Sequence, residues 1–390
     1  METWLPISVF FALLLGWLIG RFSARGRDKS ANSDSINCSE HYIQGLNYLL
    51  ANKSDKAIEL FVDLIKVDKE TMETHLALGN LFRSKGEVDK AIKIHQNLVA
   101  RPNLDQNQRV MALNELAEDY LKAGLLDRAE NLYRELVQIN AKNTIALNRL
   151  LEIYSLEKSW GEARDIARAL YELEEPGSKL VLTHCYCEIA EQSLRQGNAR
   201  AARELLEQAL QIDKQCIRAL LLLVDVNLRN DQVSQARKLF YRLIKSSPQF
   251  IEVYLPAARE LLLQRGSVTE YQNFLIEQYS HRAISSVALE LLESYRNADQ
   301  IDRMQAFLLQ ALHQAPSIEL VEFAIRHVES RSQSDPQIWP DLKAMFSKLN
   351  QRRVSFVCSY CGYGSQAMHW NCPSCNNWSS IKPVTSNHQS

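Results

Sequence analysis

Four cysteines near the C-terminal end carry the clearest chemistry in this 390-residue chain: Cys358 and Cys361 in CSYCG, then Cys372 and Cys375 in CPSC. Two residues between paired cysteines let one tight turn aim both sulfurs inward, and backbone N–H groups remain to bond the thiolates. Two such turns complete a tetrahedral S₄ site for one metal ion, iron or zinc, because both accept four thiolates. Phe356, Tyr360, Tyr363, Trp370 and Trp378 crowd the same stretch. That density is expected of a small domain that must support a metal with a limited core. A disulfide framework is the competing reading of paired cysteines.

Nothing else in the chain offers comparable chemistry. Cys38, Cys185, Cys187 and Cys216 form no second motif. The run His184-Cys185-Tyr186-Cys187 falls in a helical stretch, where neighbouring positions point about 100° apart and cannot converge on one ion. These cysteines are expected to be buried and structural, and His75 and His95 to be core or groove residues. The 13 glycines are scattered, so neither GxGxxG nor GxxxxGK[ST] can be written. No nucleophile–base arrangement stands out, and no catalytic or cofactor-binding residue is assigned, so the chain does not read as an enzyme. The 45 basic and 46 acidic side chains leave a formal charge of −1, which gives phosphate backbones no basic surface, and nucleic acid is not an expected partner.

The metal ribbon needs elements to hold it, and the N-terminus supplies an anchor. Residues 4–20 (WLPISVFFALLLGWLIG) contain no charge and ten Leu, Ile, Val or Phe, worth roughly −3 to −6 kcal/mol on insertion scales before Gly, Pro and Ser subtract. At 1.5 Å per residue the stretch covers roughly 25 Å, with Trp4, Trp17 and Arg21 at the interfaces. A cleaved signal peptide competes, but it needs positive charge ahead of the apolar run, and Met1-Glu2-Thr3 has none. Arg21, Arg25, Arg27 and Lys29 all follow, which by the positive-inside rule leaves the N-terminus periplasmic and residues 21–390 cytoplasmic. A reducing cytosol in turn favours metal over disulfides at the four cysteines. Ala12, Gly16 and Gly20 form a small-residue ridge where a transmembrane helix of a partner, or of a second copy, could approach; Gly is also simply common in such helices.

After a polar linker, residues 22–38, a period appears. Ala57, Ala91, Ala129, Ala163, Ala202 and Ala236 align with steps of 34, 38, 34, 39 and 34 residues. Twelve positions earlier lie Gly45, Gly79, Ala117, Leu151, Ala190 and Val224, mostly small; nine earlier lie Tyr48, Phe82, Tyr120, Tyr154, Ser193 and Asn227; four later lie Phe61, His95, Tyr133, Ala167, Leu206 and Phe240. Pro248 closes the sixth unit. This stretch resembles the tetratricopeptide-repeat family, a helix–turn–helix unit of 34 residues. The pattern fades through 251–316 around Ala258, Leu261, Phe274, Leu292, Tyr295, Ala311 and Pro316. Residues 318–350 read as a last helical pair, with Ile338, Trp339, Leu342, Met345, Phe346 and Leu349 on one face. The expected fold class is all-α, a tetratricopeptide-repeat solenoid between a transmembrane helix and a small metal ribbon. Its parts are an anchor at 1–21, a linker at 22–38, repeats at 39–351, the ribbon at 352–383 and a tail at 384–390. Stacked repeats present a groove for a peptide or protein, or else serve only as a spacer.

The order of an N-terminal span, a repeat array and a CxxCG…CPxC end resembles the lipopolysaccharide assembly protein B family. Residues 78–95 (LGNLFRSKGEVDKAIKIH) and 370–383 (WNCPSCNNWSSIKP) look especially close, and the four ligand cysteines match. The resemblance implies a rubredoxin-like ribbon and a single-pass inner-membrane regulator of lipopolysaccharide biosynthesis. It implies an adaptor that presents the lipid A pathway deacetylase to the membrane-bound AAA+ protease FtsH, answers to an inner-membrane lipopolysaccharide sensor, and meets other lipopolysaccharide-synthesis proteins. A general scaffold for those enzymes, or a rubredoxin-like electron carrier using iron, are the alternatives.

Overall fold

The computed structural model describes residues 72–315, 317–329 and 354–384, with a few positions between 43 and 60. The expected anchor, the linker with Cys38, Phe61, Pro316, the second member of the last helical pair and residues 385–390 lie outside the described residues. Among the described residues no helix is long and apolar enough to cross a membrane. The chain divides into two compact units between Glu157 and Lys158.

The first unit contains α1 (Met72–Ser84), α2 (Val88–Val99), α3 (Gln106–Lys122), α4 (Leu126–Ile139) and α5 (Thr144–Leu156), each packed on the next. Ala57, Ala91 and Ala129 are fully buried, as close helix crossing demands. A Cβ on Gly79 would run into the His95 ring. His95 occupies the register that Tyr133 fills in the next repeat, and both are fully buried. A buried imidazole needs a polar partner: His95 Nδ1 lies 2.5 Å from Asp119, whose other oxygen accepts from Arg83 at 2.9 Å. Asp105 caps α3, accepting from the Gln108 N–H at 2.8 Å, while the Gln108 side chain accepts from the Asp105 N–H at 3.2 Å.

The second unit contains α6 (Trp160–Glu172), α7 (Ser178–Arg195), α8 (Ala199–Ile212), α9 (Ile217–Arg229), α10 (Val233–Ser246), α11 (Ile251–Ala258), α12 (Val268–His281), α13 (Ser285–Asn297), α14 (Ile301–Gln314) and α15 (Ile318–Glu329). Ala163, Ala202 and Ala236 are again fully buried. Asn227, at a register where four of the other five repeats carry an aromatic ring, is buried with its amide oxygen accepting from Arg203 at 2.7 Å. Past α10 the repeat geometry changes. Pro256 sits inside α11 and offers no N–H, and the helix continues as a wider i→i+5 turn over Arg259–Gln264. That extra slack blurs the period after residue 250.

Several helix pairs are joined by a turn whose key residue takes a left-handed conformation. Gly86, Gly124 and Gly197 occupy it at φ of 81°, 74° and 80°, whereas Lys158, Asp231 and Asp299 hold it at 58°, 58° and 55° without glycine's freedom. The chain is not all-α to its end. β1 (Phe356–Cys358) pairs antiparallel with β2 (Gly364–Ser365) and β3 (Ile381–Pro383) in the order β2-β1-β3.

Candidate metal centre and its seat

Two turns of the same design build the site. In the first, the Gly362 N–H donates to the Cys358 carbonyl at 3.0 Å and Gly362 takes φ 74°. In the second, the Asn376 N–H donates to the Cys372 carbonyl at 2.8 Å and Asn376 takes φ 54°. The residue after each second cysteine must therefore be left-handed, which Gly and Asn tolerate best.

The four Sγ atoms lie within 4.8 Å of one another, with Cys358–Cys375 and Cys361–Cys372 both at 3.7 Å. A tetrahedral ion bound at about 2.3 Å by four sulfurs sets them about 3.8 Å apart, so these residues fit a Cys₄ metal centre. The surroundings favour thiolates. The Ser380 hydroxyl, 3.3 Å from Cys358 Sγ, and the N–H groups of Cys361 and Tyr360 hold the Cys358 thiol down at about 6. The Asn377 side chain donates to Cys375 Sγ at 3.3 Å and, with its own N–H, lowers that thiol as well. Burial pushes Cys372 the other way, up to about 11, and a bound cation is what would let that sulfur ionise. Zinc held there would fasten the fold, and iron would add a one-electron couple.

The ribbon is seated on helices of its own unit. Trp378 stacks on His184 of α7 with ring centroids 4.6 Å apart and planes 16° from parallel. Trp160, which opens α6, meets the Trp378 ring edge-on at 6.0 Å. The Arg218 guanidinium of α9 lies 6.0 Å from the Trp378 ring centre while donating to Glu188 and Glu191 at 2.9 and 2.7 Å. His184 Nε2 sits 2.7 Å from Ser379 Oγ. Burial, with the Arg218 charge second, holds the His184 imidazole neutral, its pKa down at about 3. Beside this grip a cavity of about 270 Å³ is lined by Cys216, Arg218, Phe250, Met368 and Trp370 among others.

Residues 356–383 match the rubredoxin metal binding domain family, and residues 74–108 and 193–261 match tetratricopeptide repeats. Lipopolysaccharide assembly protein B of Escherichia coli K12 is 30% identical over 97% of this chain and 96% of its own length. Its namesake in Haemophilus influenzae is 34% identical over 98% of this chain and 97% of its own length. The chain belongs to the lipopolysaccharide assembly protein B family.

Within that family's architecture the structure brings together all four cysteines expected from the sequence, Cys358, Cys361, Cys372 and Cys375. Cys185, Cys187 and Cys216 are buried, as expected of them. His184 is buried too, but sequence reasoning missed its task of carrying the ribbon. One signal was available: His184 and Arg218 each stand eighteen residues ahead of an aligned alanine, Ala202 and Ala236, so both occupy the same repeat register. Two groups able to pack on an aromatic ring recur there.

Proposed function

We propose that the protein is an inner-membrane adaptor of lipopolysaccharide assembly, holding the lipid A pathway deacetylase near the membrane-bound AAA+ protease, and that it performs no chemistry itself. The end-to-end match to proteins named for lipopolysaccharide assembly carries this reading. Residues 4–20 serve as the anchor, with the N-terminus periplasmic and the rest cytoplasmic; an inner-membrane lipopolysaccharide sensor sets its output. Tethering an adaptor and a protease to one bilayer raises their effective concentration without a strong new contact.

The repeat surface supports a binding role. In the first unit a cleft of about 620 Å³ is lined by Asn80, Arg83, Glu118, Lys122, Arg149 and Glu152, a set of charges of both signs suited to a polar protein segment. Arg149 is already braced by Glu118 at 2.6 Å and Glu152 at 2.9 Å, so the cleft is pre-organised. Crosslinking in native membranes, followed by identification of the attached proteins, tests the proposal. Recovery of the protease and the deacetylase is the expected result. Recovery of lipopolysaccharide-synthesis enzymes without the protease would replace the adaptor by a general scaffold.

A further inference from the structure

The cavity at the ribbon's seat is walled from both sides. Met368, Trp370 and Ile381 line it from the ribbon, while Ile217, Arg218 and Phe250 line it from the helices. Its volume is about 270 Å³, and since about 150 Å³ is enough to hold benzene, there is room for an aromatic ring with a polar group attached. Two buried polar atoms of its walls have no hydrogen-bond partner among the described residues: His184 Nδ1 and Arg218 Nη1. Both residues line the cavity, and they are 1% and 4% exposed. Arg218 gives Nε to Glu191 at 3.0 Å and Nη2 to Glu188 and Glu191 at 2.9 and 2.7 Å, which leaves Nη1 as the remaining corner of the fork. His184 turns Nε2 to Ser379 Oγ at 2.7 Å, which leaves Nδ1 on the other side of the ring. Buried polar groups without partners are costly, and a ligand that supplies those partners recovers the cost.

The chemistry of these two atoms narrows what fits. Guanidinium Nη1 can only donate, whereas Nδ1 of a neutral imidazole accepts when Nε2 carries the proton toward Ser379. A neutral amide supplies one acceptor and one donor in a single flat group. A carboxylate supplies acceptors alone, and it would bring further negative charge to a guanidinium already paired with Glu188 and Glu191, with Asp213 also at the cavity. Like charges set together in that way weaken binding. We infer that this cavity is a binding site for a small neutral aromatic amide. Its ring lies among Phe250, Met368 and Trp370, its carbonyl accepts from Arg218 Nη1, and its N–H donates to His184 Nδ1. Such a ligand touches ribbon and helices at once, so it binds the seated state and holds the ribbon down.

The test uses the full-length, metal-loaded protein, with benzamide as the probe and benzoate and toluene as its counterparts. Cys216 lines the same cavity, so its rate of modification by a bulky maleimide, mapped by peptide mass spectrometry, reports both occupancy and seating. Benzamide should slow that labelling saturably, by about tenfold at about ten times its half-saturating concentration. Benzoate has the same ring with the wrong charge, and toluene has it with no hydrogen-bonding group. Each should need a concentration higher by about tenfold or more. Met368→Trp fills the cavity from the ribbon side and should abolish the benzamide effect with about one metal ion per chain retained. Labelling untouched by benzamide up to its solubility limit would overturn the proposal. So would equal protection by benzoate or toluene, or protection that persists in the metal-loaded Met368→Trp protein. The three probes are compared on the wild-type chain, so they decide between these outcomes even if the Met368→Trp protein fails to fold.

Discussion

Replacing Trp378 by alanine should release the ribbon from its seat while leaving its metal bound. Trp378 gives up a stack on His184 at 4.6 Å, an edge contact with Trp160 at 6.0 Å and the Arg218 guanidinium at 6.0 Å. Burial of about 100 Å² of ring surface is worth about 2.5 kcal/mol. The aromatic contacts and the cation–π contact add about 1 to 2 kcal/mol together. A total of about 3.5 to 4.5 kcal/mol corresponds to an undocked population higher by roughly 400- to 2,000-fold. Cys216 reports that opening, because it is 6% exposed and lines the cavity at the seam. Its rate of labelling by a bulky maleimide should rise by about two orders of magnitude or more, with helical circular dichroism unchanged and about one metal ion per chain retained. An unchanged labelling rate with the metal still bound would refute the claim that Trp378 holds the ribbon down.

Cys372→Ser should cost the protein its metal and unfold residues 354–384 without reducing helix content, since a structural thiolate site contributes folding energy directly; metal analysis beside circular dichroism checks both halves. Gly79→Ala forces a Cβ into the His95 ring and should destabilise the first unit by about 1 to 3 kcal/mol, read as a lower denaturation midpoint. Lys158→Gly relieves a left-handed φ of 58° and should stabilise by about 1 kcal/mol in the same assay, whereas Gly124→Ala should do the reverse. For acid, His184 is neutral when seated, with a pKa of about 3, against about 6.5 once released. Its contribution is complete above about pH 6.5 and is lost as pH falls toward 3, at about 1.4 kcal/mol per unit. Seating should thus weaken by about 2 kcal/mol between pH 7 and 5, and His184→Gln should remove that slope from the Cys216 labelling rate.

The parts of the fold that were legible in the sequence are those fixed by local spacing. The aligned alanines sit at helix crossings where any larger side chain would separate the backbones, so a steric rule repeats with the chain, and each is fully buried. The CxxC pairs are legible for the same reason, since one turn sets the distance between two sulfurs. The ribbon's seat was not legible, because His184 meets Ser379 across 195 residues of chain and no periodicity links the two. His184 read only as part of a His-Cys-Tyr-Cys run that could not converge on one ion, for want of its partner. Lys158, Asp231 and Asp299 also hid their turns, holding by tertiary packing a conformation that glycine marks elsewhere. The fading of the repeats past residue 250 has a cause in Pro256, whose missing N–H is followed by the widened turn at Arg259–Gln264.

The most direct test of the adaptor role is the half-life of the lipid A pathway deacetylase in cells depleted of this protein, followed after protein synthesis is stopped. A longer half-life, restored by the wild-type chain, is the expected result. A half-life unchanged by depletion would contradict it.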